Sequence, residues 1–144
     1  MLIIDVFYEE KIKHQTTPAG IVMLDVDDFK IYNDTFGHDF GDRVLKMIVE
    51  HIKNSLRNQD KLIRYGGDEF IIYLPNIEIE DFYLIMQNIL ENIHHATIRR
   101  YESVQFSLSA GITMYQTGTI EEAVSLADHL LYHAKRKRIA YLQN

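Results

Sequence analysis

The stretch Arg64-Tyr65-Gly66-Gly67-Asp68-Glu69-Phe70 contains two adjacent glycines followed by two adjacent carboxylates. Apolar runs of strand length flank it at residues 61–65 and 70–74. A Gly-Gly pair between two such runs is typical of a β-hairpin, which predicts that Asp68 and Glu69 lie where two strands meet. Carboxylates held close together repel each other unless a cation lies between them. These residues alone therefore indicate either a site for a hard divalent cation or an acidic, solvated turn.

A second acidic group follows another apolar run. Residues 21–24 have the composition of a buried strand and lead directly into Asp25-Val26-Asp27-Asp28-Phe29-Lys30. Strands in α/β sheets commonly present metal- and ligand-binding side chains at their C-terminal ends. If this strand pairs beside the hairpin, Asp25 and Asp68 share one or two Mg²⁺ ions, which take few protein carboxylates and complete their shell with water and substrate phosphates. Two carboxylate groups and a lysine thus indicate a nucleoside triphosphate site.

The bulk composition limits the class of protein. The chain has 144 residues, 47% of them hydrophobic, which fits one domain with a single core. A formal net charge of −6 argues against general nucleic-acid binding, and the absence of cysteine excludes a disulfide framework. No stretch is long and apolar enough to span a membrane, and the first residues lack the basic start of a signal peptide. We therefore expect a cytoplasmic protein that binds neither membrane nor nucleic acid.

Hydrophobic periodicity predicts an α+β fold. Helical spacing of apolar residues recurs in four segments: 7–14, 43–57, 79–95 and 120–137. Strict alternation marks a strand at 104–114, and a shorter run marks a first strand at about 20–26. With the hairpin, the predicted order is α-β-α-β-β-α-β-α, with a short final strand near 140–142. This order predicts a mostly antiparallel central sheet with helices covering one face.

The acidic motifs resemble, in order and spacing, the GGDEF domains, the diguanylate cyclases of bacterial second-messenger signalling. The signature is complete as Gly66-Gly67-Asp68-Glu69-Phe70, and the upstream pattern continues through Asn33-Asp34, Gly37-His38 and Gly41-Asp42. Several separated motifs in the right order are more specific than one short motif. The resemblance extends over about residues 7–137 and implies a palm-like fold, similar to nucleotidyl cyclases and polymerases, with a mostly antiparallel sheet flanked by helices.

The resemblance also implies an activity, the Mg²⁺-dependent condensation of two GTP molecules into cyclic di-GMP with release of pyrophosphate; Mn²⁺ is a possible substitute. Each domain holds one GTP, so a homodimer is needed for catalysis. We expect that homodimer to be weak in isolation, because no sustained heptads precede the domain to form a coiled coil. The alternative is a GGDEF-like module that binds GTP or cyclic di-GMP as a receptor without turnover.

Four sets of residues match functional positions of the family. The metal ligands are Asp25, the backbone carbonyl of Val26, Asp68 and Glu69. The catalytic residues are Asp68, Glu69 and the phosphate-contacting Lys30. The other substrate contacts are Asn33 and Asp42 for guanine, with Phe29, Arg64, Gly66, Gly67 and Lys135. The product-inhibition site is the Arg-x-x-Asp pair Arg57 and Asp60.

Structural roles are open alternatives for several of these residues. Asp42 precedes an apolar helical run and is a candidate helix N-cap. Arg57 lies at the end of a predicted helix, where a cation interacts favourably with the carbonyl dipoles. Arg64 contacts phosphate or pairs with the acidic hairpin, and both hairpin glycines also suit turn geometry alone.

Two segments depart from the family pattern. The family usually opens with Asp-x-Leu-Thr-x-Leu-x-Asn-Arg, whereas residues 1–6 do not match, so we expect residues 1–144 to be one GGDEF domain with a truncated or atypical start. The terminal Tyr-x-Ala-Lys-x-x-Gly-Arg pattern keeps Lys135 but has Arg138 and Ile139 in place of glycine and arginine. These departures favour the receptor alternative, whereas the intact acidic signature favours the enzyme.

Overall fold

A computed structural model of the chain describes residues 18–116 and 119–143, although not the side chains of residues 137–143. The elements follow in the order β1 (Ala19–Val26), α1 (Phe29–Phe36), α2 (His38–Ser55), β2 (Lys61–Arg64), β3 (Glu69–Leu74), α3 (Ile79–His95), β4 (Leu108–Tyr115) and α4 (Ile120–Gln143). The strands form one sheet in the order β2-β3-β1-β4, and each neighbouring pair is antiparallel. The predicted α+β fold around an antiparallel sheet is confirmed. The predicted helix at 7–14 and the atypical start at 1–6 lie outside the described residues.

The central strand β1 is buried along its whole length. Its alternate residues face opposite sides of the sheet. Val22 and Leu24 belong to a core with α2 and α3, whereas Ile21 and Met23 belong to a second core with α4. Helices therefore cover both faces, and the expectation of one covered face is wrong. None of the described helices has the length and apolar character needed to cross a bilayer.

Several elements differ from the predictions, among them α2, which runs from His38 to Ser55 instead of 43–57. The helix α1 was not predicted, because its eight residues include no buried side chain that would produce a clear apolar stripe. The strand predicted from 104 starts only at Leu108, since its partner β1 ends at Val26, directly opposite. The short final strand near 140–142 is wrong, because α4 continues through this segment to Gln143.

A close approach of α4 to the sheet depends on Gly111 in β4. A Cβ atom at this position would overlap the carbonyl oxygen of Ala127 and lie 2.5 Å from the backbone nitrogen of Leu131. Both of those atoms belong to the α4 backbone, which cannot move aside as a flexible side chain can. A glycine here thus sets the distance between α4 and the sheet.

The segment between α2 and β2 is held by an ion pair. The Nη2 atom of Arg57 lies 2.7 Å from Oδ1 of Asp60, whose side chain is fully buried (0% exposed). The same guanidinium donates hydrogen bonds to the backbone carbonyls of Pro75 and Asn76, at 2.7 and 3.3 Å. The pair therefore attaches the start of β2 to the connection between β3 and α3.

We predict that Gly111→Ala lowers the free energy of unfolding by about 1–3 kcal/mol, because the added methyl group overpacks the contact with α4. Urea denaturation measures the change. Gly67→Ala is the matched control, since a Cβ there meets no atom within 4 Å. Equal stability of the two variants would contradict a tight contact at Gly111.

We further predict that Asp60→Ala lowers the free energy of unfolding by about 1.5–3 kcal/mol, because hydrogen bonds to a charged group are lost. Thermal or urea unfolding is the measurement. Asp81→Ala removes an exposed carboxylate from the first turn of α3 and serves as control. Unchanged stability of the Asp60 variant would show that the ion pair does not hold this segment.

Candidate active site

The three acidic residues of the predicted metal site lie together at one end of the sheet. Asp25, near the end of β1, is directly opposite Glu69 of β3 and Ser109 of β4. The N–H of Val26 donates a hydrogen bond to the carbonyl oxygen of Asp68 at 3.1 Å. The strand therefore pairs beside the hairpin, which is the condition that the sequence argument required.

Asp25 is a buried carboxylate, 6% exposed, in an unusual electrostatic setting. Its Oδ2 lies 2.5 Å from Nζ of Lys135, whereas its Oδ1 is buried without a hydrogen-bond partner among the described residues. Burial, and next the neighbouring carboxyl of Asp68, raise the pKa of Asp25 to about 6, against the opposing effect of Lys135. An orphaned carboxylate oxygen beside a second carboxyl group is an arrangement that a cation satisfies.

The donor set fits Mg²⁺, which takes oxygen ligands and usually only one or two protein carboxylates. Asp25 and Asp68 meet that requirement. Within the described ranges, no three His, Cys, Asp or Glu side chains gather into a complete metal cage. The half-buried Glu69 places its carboxylate against Gly66, where a Cβ would be 3.2 Å from Oε2. Any ion at Asp25 therefore has room for water or phosphate oxygens in its shell.

The hairpin is held by Arg64. Its guanidinium donates to the carbonyl oxygens of Gly66 (3.1 Å) and Gly67 (2.6 Å). Arg64 thus contacts the backbone of the acidic hairpin. Gly37 is the one glycine with a positive φ among those described, so turn geometry does not require glycine at the hairpin pair. A Cβ on Gly67 would meet open space, which leaves the backbone accessible to a ligand.

The residues matched to guanine recognition lie on α1 and α2. Asn33 of α1 packs against Gly41 of α2 so closely that a Cβ on Gly41 would overlap its Oδ1. Asp42 is the next residue and is exposed. The N-cap alternative for Asp42 is wrong, because α2 already begins at His38 with Gly37 as its N-cap. The structure therefore places the Asn33 side chain against the α2 backbone at Gly41, one residue before Asp42.

Three further residues were predicted to contact the substrate, and they differ in burial and in distance from the acidic residues. Phe29 is partly buried against the core formed with α2 and α3. Lys30 follows it in the first turn of α1 and is exposed. Lys135 projects from α4 onto Asp25, as its ion pair shows. Lys135 is thus within the acidic site itself.

One structural residue of the site was missed by the sequence analysis. Asp27 is buried and accepts hydrogen bonds from the hydroxyl groups of Ser107 and Ser109, each at 2.6 Å. These bonds fix the end of β1 to β4. Two serines spaced by two residues, on one face of a predicted strand, were the available signal.

The predicted product-inhibition pair lies at the other end of β2 from the hairpin. Lys61, next to Asp60, pairs with Tyr73, whereas Arg64 pairs with Phe70 beside the acidic residues. The Asp60 carboxylate is buried, and the Arg57 guanidinium retains 30% exposure. In this structure Arg57 is therefore the accessible member of the pair.

Comparison with known proteins agrees with this geometry. The chain is 37% identical over 126 residues to the probable diguanylate cyclase DgcT of Escherichia coli K12, a match that covers 84% of this chain and 28% of that protein. Its fold is similar to that of the diguanylate cyclase SiaD of Pseudomonas aeruginosa, solved in complex with its activator SiaC (TM-score 0.84, 34% identity, 94% of this chain and 54% of that chain). The active GGEEF domain of a diguanylate cyclase from Vibrio cholerae is also similar (TM-score 0.78, 29% identity, 92% and 85%).

The two solved structures share the palm-like α+β architecture with this chain. The chain spans about a quarter of the length of the first curated relatives it matches. The family model described as "Diguanylate cyclase, GGDEF domain" matches residues 4–139, which include both acidic motifs and α4. The chain belongs to the GGDEF domain family of diguanylate cyclases.

Proposed function

We propose that this chain is a diguanylate cyclase domain, a nucleotidyltransferase that condenses two GTP molecules into cyclic di-GMP and releases two pyrophosphates. The observation that carries the proposal is the buried Asp25 beside Asp68, with one unpartnered oxygen and with Lys135 on the other. Such a charged, buried arrangement is costly in a purely structural role. It is expected where phosphates and a cation must be bound.

A Mg²⁺ ion, or Mn²⁺ in its place, would be held by Asp25, Asp68, the backbone carbonyl of Val26 and Glu69. When bound, it supplies charge neutralisation at the phosphates and lowers the pKa of a ribose 3′-hydroxyl. The choice of a hard ion follows from the donors, which are all oxygen atoms.

The protein side chains orient the substrate and neutralise its charge. Lys135 and Lys30 bind phosphate oxygens, and the open side of Gly67 lets the backbone approach them. The 3′-hydroxyl of each GTP attacks the α-phosphate of the other, and each attack forms one phosphodiester bond and releases one pyrophosphate. Glu69 is proposed to assist removal of the hydroxyl proton, and its position opposite Asp25 on the neighbouring strand supports this role.

Guanine is read by Asn33 and Asp42. A carboxylate can accept hydrogen bonds from both the N1–H and the exocyclic amine of guanine, whereas adenine lacks that donor pair. Asp42 is exposed on α2 beside the contact between Asn33 and Gly41, so its carboxylate is available to a base.

The reaction joins two nucleotides, and one domain holds one GTP. We therefore propose that catalysis occurs in a homodimer in which two copies of the acidic site face each other. The product, cyclic di-GMP, is proposed to bind at Arg57 and Asp60, away from the reacting groups. Specific activity that rises with protein concentration would support the two-chain arrangement.

We predict that Asp68→Asn and Glu69→Gln lower cyclic di-GMP formation by about 100-fold or more, because charge at the metal and phosphate site is removed. Mass spectrometry of products after incubation with GTP and limiting Mg²⁺ is the measurement. Asp81→Asn, on the surface of α3, is the control and should retain full activity. Full activity in Asp68→Asn would rule out the metal role.

The same assay separates the enzyme from the receptor alternative, which the altered terminal motif at Arg138 and Ile139 favours. GTP or cyclic di-GMP binding without product, at protein concentrations that permit dimers, would identify a receptor. Cyclic di-GMP formation would exclude it.

A further prediction concerns base selectivity. The chain should bind GTP more tightly than ATP, and Asp42→Ala should weaken GTP binding by about 1–3 kcal/mol, because guanine donors lose their acceptor. Calorimetric titration with both nucleotides measures this. Glu50→Ala removes an exposed carboxylate further along α2 and is the control. Equal affinities of the unmodified protein for GTP and ATP would refute guanine reading.

A further inference from the structure

Two histidines on α4 form a pair that the proposed reaction does not use. His129 and His133 are four residues apart, so they lie on the same face of the helix. Their Nε2 atoms are 3.1 Å apart, and their rings are nearly perpendicular, with centroids 4.5 Å apart. Both side chains are exposed. One imidazole therefore donates to the other at the protein surface, and the two Nε2 atoms lie next to each other.

This spacing matches a metal chelate. An imidazole nitrogen binds Zn²⁺ at about 2.0–2.1 Å. Two such bonds that meet at an angle between about 90° and 109° place the nitrogens about 2.8–3.4 Å apart. The observed separation of 3.1 Å lies within that range. The two nitrogens are thus already at a chelating separation, and rotation of the imidazole rings would turn both lone pairs toward one cation.

We propose that His129 and His133 form a surface site for a divalent first-row transition metal ion of the Zn²⁺, Ni²⁺ and Cu²⁺ class. Neutral imidazole is a preferred ligand of these ions, whereas Mg²⁺ prefers oxygen donors. The two histidines supply two ligands, and water completes the coordination shell. The site therefore differs in chemistry from the carboxylate site at Asp25.

The surroundings leave the pair accessible. His129 borders an open depression of about 550 Å³, also lined by Glu122, Ser125 and Leu126. The nearby guanidinium of Arg136 contacts Tyr132, donating to its hydroxyl at 3.3 Å and lying 5.7 Å from its ring centroid. The positive charge of Arg136 therefore lies against Tyr132. A hydrated cation can approach the imidazoles from the depression.

The pair is also turned away from the active site. Lys135 follows His133 by two residues, which corresponds to a rotation of about 200° around the helix. Lys135 contacts Asp25 on the sheet side, whereas the imidazoles face solvent. A metal ion there would link two successive turns of α4 just before Lys135 without touching substrate.

Zinc titration tests the site. Calorimetry with ZnCl₂, in excess Mg²⁺ to occupy the carboxylate site, should show one Zn²⁺ bound per chain. His129→Gln and His133→Gln should each weaken that binding by about tenfold or more, because the second ligand no longer acts at high effective concentration.

The control is the double variant His94→Gln/His95→Gln. It removes two exposed imidazoles that are adjacent in α3 and so do not share a helix face. It should bind Zn²⁺ as the unmodified protein does. Zn²⁺ should also raise the thermal midpoint of the unmodified protein and of this control, but not of the His129 or His133 variants. Unchanged Zn²⁺ affinity in both single variants, or an equal loss in the control, would overturn the proposal. None of these measurements requires GTP, so they are independent of cyclase activity.

Discussion

The central position of β1 is the constraint on which the rest of the structure depends. The strand is hydrogen-bonded to β3 on one edge and to β4 on the other, and helices cover both of its faces. Any side chain near its end is therefore removed from water. Asp25 occupies that position, and the cost of burying a carboxylate is offset only by groups that come from elsewhere in the chain. Lys135 is such a group, whereas Asp68 of the hairpin adds to the cost, so the path of the chain around β1 determines the electrostatics of the site.

The electrostatic setting of Asp25 also depends on the position of α4, which carries Lys135. Gly111 lets the backbone of α4 approach the sheet, and Ala127 packs there without any exposure. Lys135 lies about two turns further along the same helix. The close packing of Gly111 against Ala127 therefore determines whether the Lys135 side chain can contact Asp25. Stability and the proposed phosphate binding consequently share one structural element, and a substitution that displaces α4 is expected to alter both.

Local patterns in the sequence were sufficient for some features. The bounds of α3 agree with the predicted helix at 79–95, because its apolar residues recur at clear helical spacing. The hairpin is also present, with Glu69 as the first residue of β3. The helix α1 was not predicted, because it buries no side chain and therefore has no complete apolar stripe.

Local sequence patterns did not predict the features that depend on tertiary structure. No periodicity indicates that α4 covers the second face, or that Lys135 contacts Asp25 across most of the chain. The hydrogen bonds of Asp27 to two serines are equally non-local. Family motifs supplied the positions of the candidate ligands, whereas the unpartnered oxygen of Asp25 arises only from the way the folded chain surrounds it.

The proposed product site shows how a structural role and a binding role can compete for one side chain. The Arg57 guanidinium uses Nε and Nη2 for Asp60, Nη2 also for Pro75, and Nη1 for Asn76. A guanine or phosphate group that binds there must share these donors or displace the carbonyl groups. Sharing is possible at the exposed edge of the guanidinium, whereas displacement would release the connection between β3 and α3. Ligand binding at Arg57 would then be coupled to that connection, because the same hydrogen bonds hold both.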